Sequence, residues 1–294
     1  MRGPVNAHVH LELGARETLG GRGFLAWLHS WRGLPSPDLR PAAEIARKNA
    51  RDVAAFGTAA VVDVGNFDVG LAALTDAGLD GFAFHEVFGF DVPDAAVPYG
   101  NATPHAPYST HADTIRDAAG RGRPWTMHVD EDPAERAFLR DGSGPWPDML
   151  RSSGRVFDGW TPPRLSPVRY LDQLGVLGPD ALLVHCTLTE GRDLDLLAER
   201  GVSVCVCPRS NLHITGLLPD VPGMLDRGLR VLIGTDSLAS SPDLDVRNEV
   251  QVLREAFPSV PAERWERCLH DDAWAFLGRH PTGGLRPTPL RSSP

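Results

Sequence analysis

Lysine is almost missing from this chain: Lys48 is the only one, and arginine carries nearly all the positive charge. Positive charge as a whole is in deficit, 29 Lys and Arg against 38 Asp and Glu, for a formal net charge of −9. That balance argues against nucleic acid or an anionic membrane as the main partner. No apolar run reaches about 18 residues, so no transmembrane helix is expected. The N-terminus lacks the apolar core of a signal peptide, which makes the cytoplasm the expected location. Cysteine is scarce too. Cys186, Cys205, Cys207 and Cys268 form no C-x-x-C zinc pair. Cys205 and Cys207 lie two apart in an alternating stretch and read as small buried residues on one strand face. No G-x-G-x-x-G follows the first strand candidate, as a doubly wound nucleotide-binding sheet would usually require. The chain has no internal repeat.

What is present is a rhythm. The 294 residues are 42% hydrophobic and 23% charged, which suits one large domain with a substantial core. Short β-branched runs recur at 5–12, 60–65, 81–88, 101–106, 124–131, 181–187, 202–208 and 231–236. Amphipathic helix candidates lie between them at 41–56, 67–77, 112–121, 190–200 and 222–227, and two more follow the last strand at 244–257 and 262–277. Alternation of this kind predicts a parallel sheet with helices outside it. Eight such units fit an α/β fold of the (β/α)8 TIM-barrel type, typically ~250 residues, here spanning residues 1–280. Two segments break the rhythm: 13–37, with Trp27, Trp31 and several arginines, and 141–167, rich in Gly, Pro, Ser and Trp. The second reads as an extended loop over the barrel mouth. The Pro/Arg/Ser-rich tail 281–294 reads as poorly ordered.

Barrels of this type carry their active sites at the C-terminal ends of the strands, and reactive side chains fall there. They are His8, His10 and Glu12 on strand 1, Asp63 and Asn66 after strand 2, Glu86 on strand 3 and His105 on strand 4. His128 and Glu131 follow on strand 5, His185 on strand 6, Arg209 and Asn211 after strand 7, and Asp236 on strand 8. A lone strand histidine is usually a satisfied core residue. His8 and His10, however, share one side of a strand by the period-two rule, and two imidazoles so placed chelate one metal ion. The expected ligands are His8, His10, His128 and Asp236, around one divalent ion. Zn2+ is the first choice and Fe2+ is also compatible. A bound Zn2+ lowers the pKa of its water to about 7. Strand 4 has no lysine, so a pair of metals bridged by a carbamylated lysine on that strand is excluded. Glu131, three residues after His128, has two readings that spacing leaves open: a carboxyl swung back over the metal to shuttle protons, or part of a solvated acidic turn capping the next helix.

Six segments stand out: Asn6-Ala7-His8-Val9-His10-Leu11-Glu12-Leu13, Pro104-His105-Ala106-Pro107-Tyr108, His128-Val129-Asp130-Glu131, Val184-His185-Cys186, Cys207-Pro208-Arg209-Ser210-Asn211 and Gly234-Thr235-Asp236-Ser237-Leu238-Ala239-Ser240. They resemble the amidohydrolase superfamily, in its cytosine deaminase-like and adenosylhomocysteine deaminase-like branch, with the group of aminodeoxyfutalosine deaminases most similar. Phe24-x-x-Trp27 and Asp63-x-x-Asn66 add to the likeness. The resemblance implies that His8, His10, His128 and Asp236 bind metal and that Glu131 shuttles protons. It implies that His185, with Asp236, orients the attacking water, and that His105 contacts substrate. Glu12 and Trp27 join His105 as candidate substrate contacts. Relatives usually carry a small β-sandwich built from both chain ends, which is expected to be largely absent here.

The reaction implied is hydrolytic deamination of an aminated purine nucleoside, with a metal-bound hydroxide attacking C6 and ammonia leaving. The substrate suggested is 6-amino-6-deoxyfutalosine of menaquinone biosynthesis. Its carboxylate calls for an arginine fork, with Arg209, Arg16, Arg22 and Arg32 as candidates; Trp27, Trp31, Phe88 and Tyr108 are candidates for ring stacking. Within enzymes, the alternative is hydrolysis of another C–N or C–Cl bond, by an amidase, a cyclic amidase or a chlorohydrolase. The alternative of another class is a metal-binding pseudoenzyme, against which the intact His8, His10, Glu131, His185 and Asp236 speak. The expected partner is a small nucleoside-like molecule, and a homo-oligomer is compatible with the sequence.

Overall fold

The computed structural model describes residues 2–13, 23–32, 39–90, 101–121, 123–152 and 159–278, with the side chains of residues 29, 31, 32 and 39 outside that description. The strands are β1 Val5–Val9, β2 Ala60–Gly65, β3 Asp80–Val87, β4 Ala102–Pro104, β5 Trp125–Val129, β6 Ala181–His185, β7 Ser203–Val206 and β8 Arg230–Ile233. The helices are α1 Phe24–Arg32, α2 Leu39–Ala55, α3 Gly70–Ala77, α4 Ala112–Ala119, α5 Pro133–Asp141, α6 Trp146–Ser152 and α7 Pro167–Gln173, then α8 Arg192–Arg200, α9 Pro208–Ile214, α10 Val221–Asp226, α11 Val246–Ala256, α12 Ala262–Leu269 and α13 Asp271–Leu277.

Every ladder is parallel, in the orders β1-β2-β3-β4 and β5-β6-β7-β8. Both seams between these halves are hydrogen-bonded. His128 N donates to His105 O (2.9 Å) and Thr126 N to Thr103 Oγ1 (2.9 Å) across β4 and β5. Thr235 N and Asp236 N donate to His8 O (3.0 and 3.1 Å) across β8 and β1. The ring closes, and the fold is a (β/α)8 barrel.

Alternation decides what lies inside. Val62, Val64, Phe82, Phe84, Leu182, Val184, Cys205, Cys207 and Leu232 pack as one interior cluster, plugged by Ala273, Phe276 and Leu277 of α13. Their odd-numbered or even-numbered neighbours, such as Met127, Val129, Val204, Val206, Val231 and Ile233, pack outward with the helices. β1 breaks its own parity. Val5 and Ala7 belong to the interior cluster, whereas Val9 and Leu11 pack outward with Ala46, Ala50 and Val53 of α2. The register of β1 against β2 slips between Asn6 and Val9, and this slip turns His8 and His10 inward above Val5 and Ala7. All four cysteines are free and buried.

The expected strands 5–12, 124–131, 181–187 and 231–236 run too far. In the last three, Asp130, His185, Cys186 and Asp236 take positive φ (57°, 71°, 47° and 59°), and such residues end a ladder. The expected loop 141–167 is corrected by α6, and the segment 13–37 by α1. The expected helix 262–277 is two, broken at His270 (φ −118°, ψ −82°). The tail 281–294 lies outside the described residues. Among the described residues no helix is long and apolar enough to cross a membrane.

Candidate active site

Three imidazoles converge at the C-terminal mouth of the barrel. His128 Nε2 lies 3.3 Å from His8 Nε2 and 3.4 Å from His10 Nε2. Asp236 Oδ1 stands 3.5 Å from His10 Nε2 and 3.7 Å from His8 Nε2. His8 and Asp236 are brought together by Gly234, where a Cβ would come 2.8 Å from the backbone N and O of His8. The other ring nitrogens set the tautomers. His10 Nδ1 is 2.8 Å from Val64 O, and His128 Nδ1 is 3.1 Å from His105 O. A carbonyl oxygen only accepts, so both Nδ1 atoms carry the proton and both Nε2 atoms present bare lone pairs. Lone pairs aimed at one another across 3.4 Å repel unless a cation lies among them. Ligands 2.0–2.1 Å from a tetrahedral zinc ion stand about 3.3–3.4 Å apart, so this donor set fits one such ion. Burial, with the neighbouring His8, lowers the His10 imidazole to about 4, and burial likewise holds His128 well below its ordinary value. Both rings are therefore neutral and ready to ligate at neutral pH. Burial alone would raise the Asp236 carboxyl, but the hydrogen bond to His8 and the neighbouring His10 and His185 imidazoles outweigh it and hold it well below the carboxylate range.

Ser210 Oγ (2.6 Å) and Ser240 Oγ (2.7 Å) both donate to Asp236 Oδ2, which leaves Oδ1 to face the imidazoles. These two serines escaped the sequence reading. Their signal lay in Arg209-Ser210-Asn211 and in the placement of Ser240 four residues after Asp236. His185 is buried, with Asn211 Nδ2 donating to its Nδ1 (3.1 Å). That places its proton on Nε2, 3.7 Å from Glu131 Oε1. Burial lowers its imidazole to about 3. Glu131 is buried, and this burial, together with Asp236 and Asp132, raises its carboxyl well above the usual range. Its neighbour Asp132 caps α5 instead, accepting from Ala134 N at 2.7 Å, so the acidic turn divides its work between cavity and helix.

The described residues lining the cavity include His10, His128, Glu131, His185 and Asp236, together with His105, Glu86 and Asn66. His105 Nδ1 is fixed by Ser109 Oγ (2.6 Å), and its ring lies against Phe88. Glu86 is buried, and burial raises its carboxyl to about 8. Its Oε1 is 3.3 Å from His128 Nδ1. The outer wall is apolar: Phe24, Trp27 and Leu28 of α1, Trp146, Met149 and Leu150 of α6, and Tyr108. Tyr108 stacks on Trp146 at 4.0 Å, and Trp27 Nε1 donates to Ala239 O (3.0 Å).

Two candidate substrate contacts are placed elsewhere. Arg209 donates from Nε to Glu249 Oε1 (2.6 Å) and from Nη2 to Asp243 O and Oδ1 (both 2.9 Å). Its fork is taken up behind α9 and does not line the cavity. Glu12 accepts from Asn66 N (2.6 Å) and Phe67 N (3.2 Å); it pins the β2–α3 loop and also stays out of the lining. Arg16 and Arg22, and the side chains of Trp31 and Arg32, lie outside the described residues.

With three histidines and an aspartate at three strand ends of one barrel, the comparison with known proteins is decisive: the sequence pattern of the amidohydrolase family matches residues 2–259. The chain belongs to the amidohydrolase family. It is 31% identical over 298 aligned positions to an aminodeoxyfutalosine deaminase of Deinococcus radiodurans, covering 87% of this chain and 68% of that protein. In structure it resembles the Helicobacter pylori aminofutalosine deaminase complexed with methylthio-coformycin (TM-score 0.75, 17% identity, 94% of this chain and 73% of that one). It also resembles the zinc-bound atrazine chlorohydrolase of Arthrobacter aurescens (TM-score 0.73, 18% identity, 95% and 71%). These amidohydrolase likenesses at under a fifth identity speak to the fold.

Proposed function

We propose that this amidohydrolase is a metal-dependent hydrolytic deaminase of aminated purine nucleosides, with His8, His10, His128 and Asp236 holding one divalent ion, zinc by preference. The observation that carries the reading is the pairing of Glu131 with His185 beside that donor set: a buried carboxyl 3.7 Å from an imidazole N–H, both facing the cavity. A bound ion supplies Lewis acidity and a water of lowered pKa. The side chains do the rest. Glu131, which keeps its proton where an ordinary glutamate has lost it, protonates the ring nitrogen beside the amino-bearing carbon. Asp236 Oδ1 accepts a proton from the attacking water, and His185 Nε2–H donates to the oxygen as it bonds to carbon. Glu131, emptied by that transfer, takes up the remaining water proton from the hydroxyl now on the carbon and passes it to the amine, which leaves as ammonia while the ring keeps the oxygen; the proton held by Asp236 then returns to Glu131. Positioned acid–base groups of this kind contribute about 10²–10⁴-fold. His105, beside His128, contacts the substrate ring, and Trp27, Tyr108 and Trp146 give an apolar flank for the part of the nucleoside remote from the base.

Within this class, 6-amino-6-deoxyfutalosine is the substrate favoured by the Deinococcus relative, and that assignment belongs to menaquinone biosynthesis. Arg209, engaged by Glu249 and Asp243, is left out of this reading as the partner of its carboxylate. The test is a panel of aminodeoxyfutalosine, adenosine, methylthioadenosine and adenosylhomocysteine with zinc-loaded protein. Equimolar ammonia and a purine absorbance change on at least one member are expected. Fully loaded protein that releases ammonia from none, or that instead cleaves a chlorotriazine or a cyclic amide, rejects the reading.

A further inference from the structure

In an uninterrupted strand Glu131 would face away from His128, because residues three apart lie on opposite sides. Asp130 reverses this. Its φ of 57° puts it in the left-handed region, which L-residues disfavour and Asp tolerates better than most, and the turn swings Glu131 back over the cavity. Asp130 is fully buried and does not line the cavity. Its carboxylate takes a bidentate fork from Arg136 of α5, Nε to Oδ1 at 2.6 Å and Nη2 to Oδ2 at 2.7 Å. Thr189 Oγ1 donates to the same Oδ2 at 2.7 Å. Arg136 Nη2 also donates to Leu188 O, and Leu188 N donates back to Asp130 O (3.1 Å). One residue earlier, Cys186 N donates to Val129 O (2.9 Å). Glu131 N is held by Glu135 Oε2 at 3.2 Å. The turn that aims Glu131 and the turn that follows His185 are thus bolted to each other by groups that touch no substrate.

We propose that Asp130, Arg136 and Thr189 form a clamp that sets the spacing of Glu131 and His185, independently of the histidines that gather at the metal site. They are positioning residues. Only the kinetic part of the proposal rests on the deaminase reading. Breaking the clamp moves the proton-handling pair and leaves the His8, His10 and His128 nitrogens where they are. The gentlest break is Thr189→Val, which removes one hydroxyl and keeps the volume; Thr189→Ser restores the donor, and Arg136→Lys keeps the charge without the fork.

Zinc-loaded wild type and the three variants are compared on the nucleoside that wild type turns over best. Misplacement by about 1 Å costs on the order of 100-fold, so Thr189→Val is expected to lose roughly 10-fold in kcat, with KM near wild type and zinc still at one per chain. Thr189→Ser is expected to recover most of that, and Arg136→Lys to stay impaired. Crystal structures of zinc-loaded wild type and Thr189→Val form the second arm: the Glu131–His185 separation lengthens while the three imidazoles superpose. Should wild type turn over no nucleoside, the deaminase reading falls and the crystallographic arm alone decides the clamp. Unchanged kcat in Thr189→Val, a loss not recovered by Thr189→Ser, or an unmoved Glu131 overturns it.

Discussion

His10 donates its Nδ1 proton to Val64 O, 2.8 Å away, and that bond decides which nitrogen is left to meet an ion. The same logic fixes His185 the other way round: Asn211 donates to its Nδ1, so Nε2–H faces Glu131. Not every buried ionisable group serves the site. Asp63 accepts from Leu11 N at 2.9 Å, and burial raises its carboxyl to about 7 from an ordinary 3.8. The folded chain keeps a proton there that the unfolded chain has released, so stability is lost as pH rises from about 3.8 through 7. Asp63→Asn, which keeps an acceptor for Leu11, should gain on wild type across that window, by up to roughly 4 kcal/mol. Denaturant melts from pH 4 to 8 check it, and a difference independent of pH counts against it. The sequence exposed His8, His10, His128, Asp236, Glu131 and His185 because each stands at a strand end. It could not orient Glu131, because that depends on the φ of Asp130. It could not show what engages the Arg209 guanidinium, because Glu249 lies 40 residues away on another helix.

Among the elements, most strands were legible because they are short apolar runs buried on both faces, as in β2, β5, β6 and β7. Their C-terminal limits were not, because function begins where the ladder stops. α6 was hidden for a different reason: seven residues containing a proline and flanked by Gly, Pro and Ser give no helical period to read, yet Trp146, Met149 and Leu150 all reach the cavity. The approach of β8 to β1 rests on Gly234. A methyl there meets His8 N and O at 2.8 Å, so Gly234→Ala must push the two strands apart. Overpacking of this kind costs about 1–3 kcal/mol, and because it parts His8 from Asp236 it should also weaken zinc binding. Chelator competition and thermal melts on the same protein measure both effects. Zinc affinity equal to wild type contradicts this account of how the strands meet.

At the scale of the whole molecule, the ring is closed by contacts of very long sequence separation. Asn6 Nδ2 donates to Thr235 Oγ1 (2.8 Å), and Thr235 N donates to Asn6 Oδ1 (3.2 Å). His8 and Asp236 flank this joint, so an ion held between them ties the first strand to the last. Free ion at 100 times its Kd stabilises by about 2.7 kcal/mol, and for a domain this large that is roughly 5–10 °C in Tm. Chelation should lower Tm by that amount and re-addition of zinc should restore it; a Tm indifferent to chelator means the donor set holds no ion. The division of labour in the cavity is that Glu131 moves protons without holding the ion, whereas Asp236 does both. Glu131→Gln tests it most directly, with zinc content and ammonia release measured on the same preparation. One zinc per chain, as in wild type, is expected, with turnover lower by about 10²–10⁴-fold. A variant that keeps near-normal turnover, or that loses its zinc along with its activity, would contradict it.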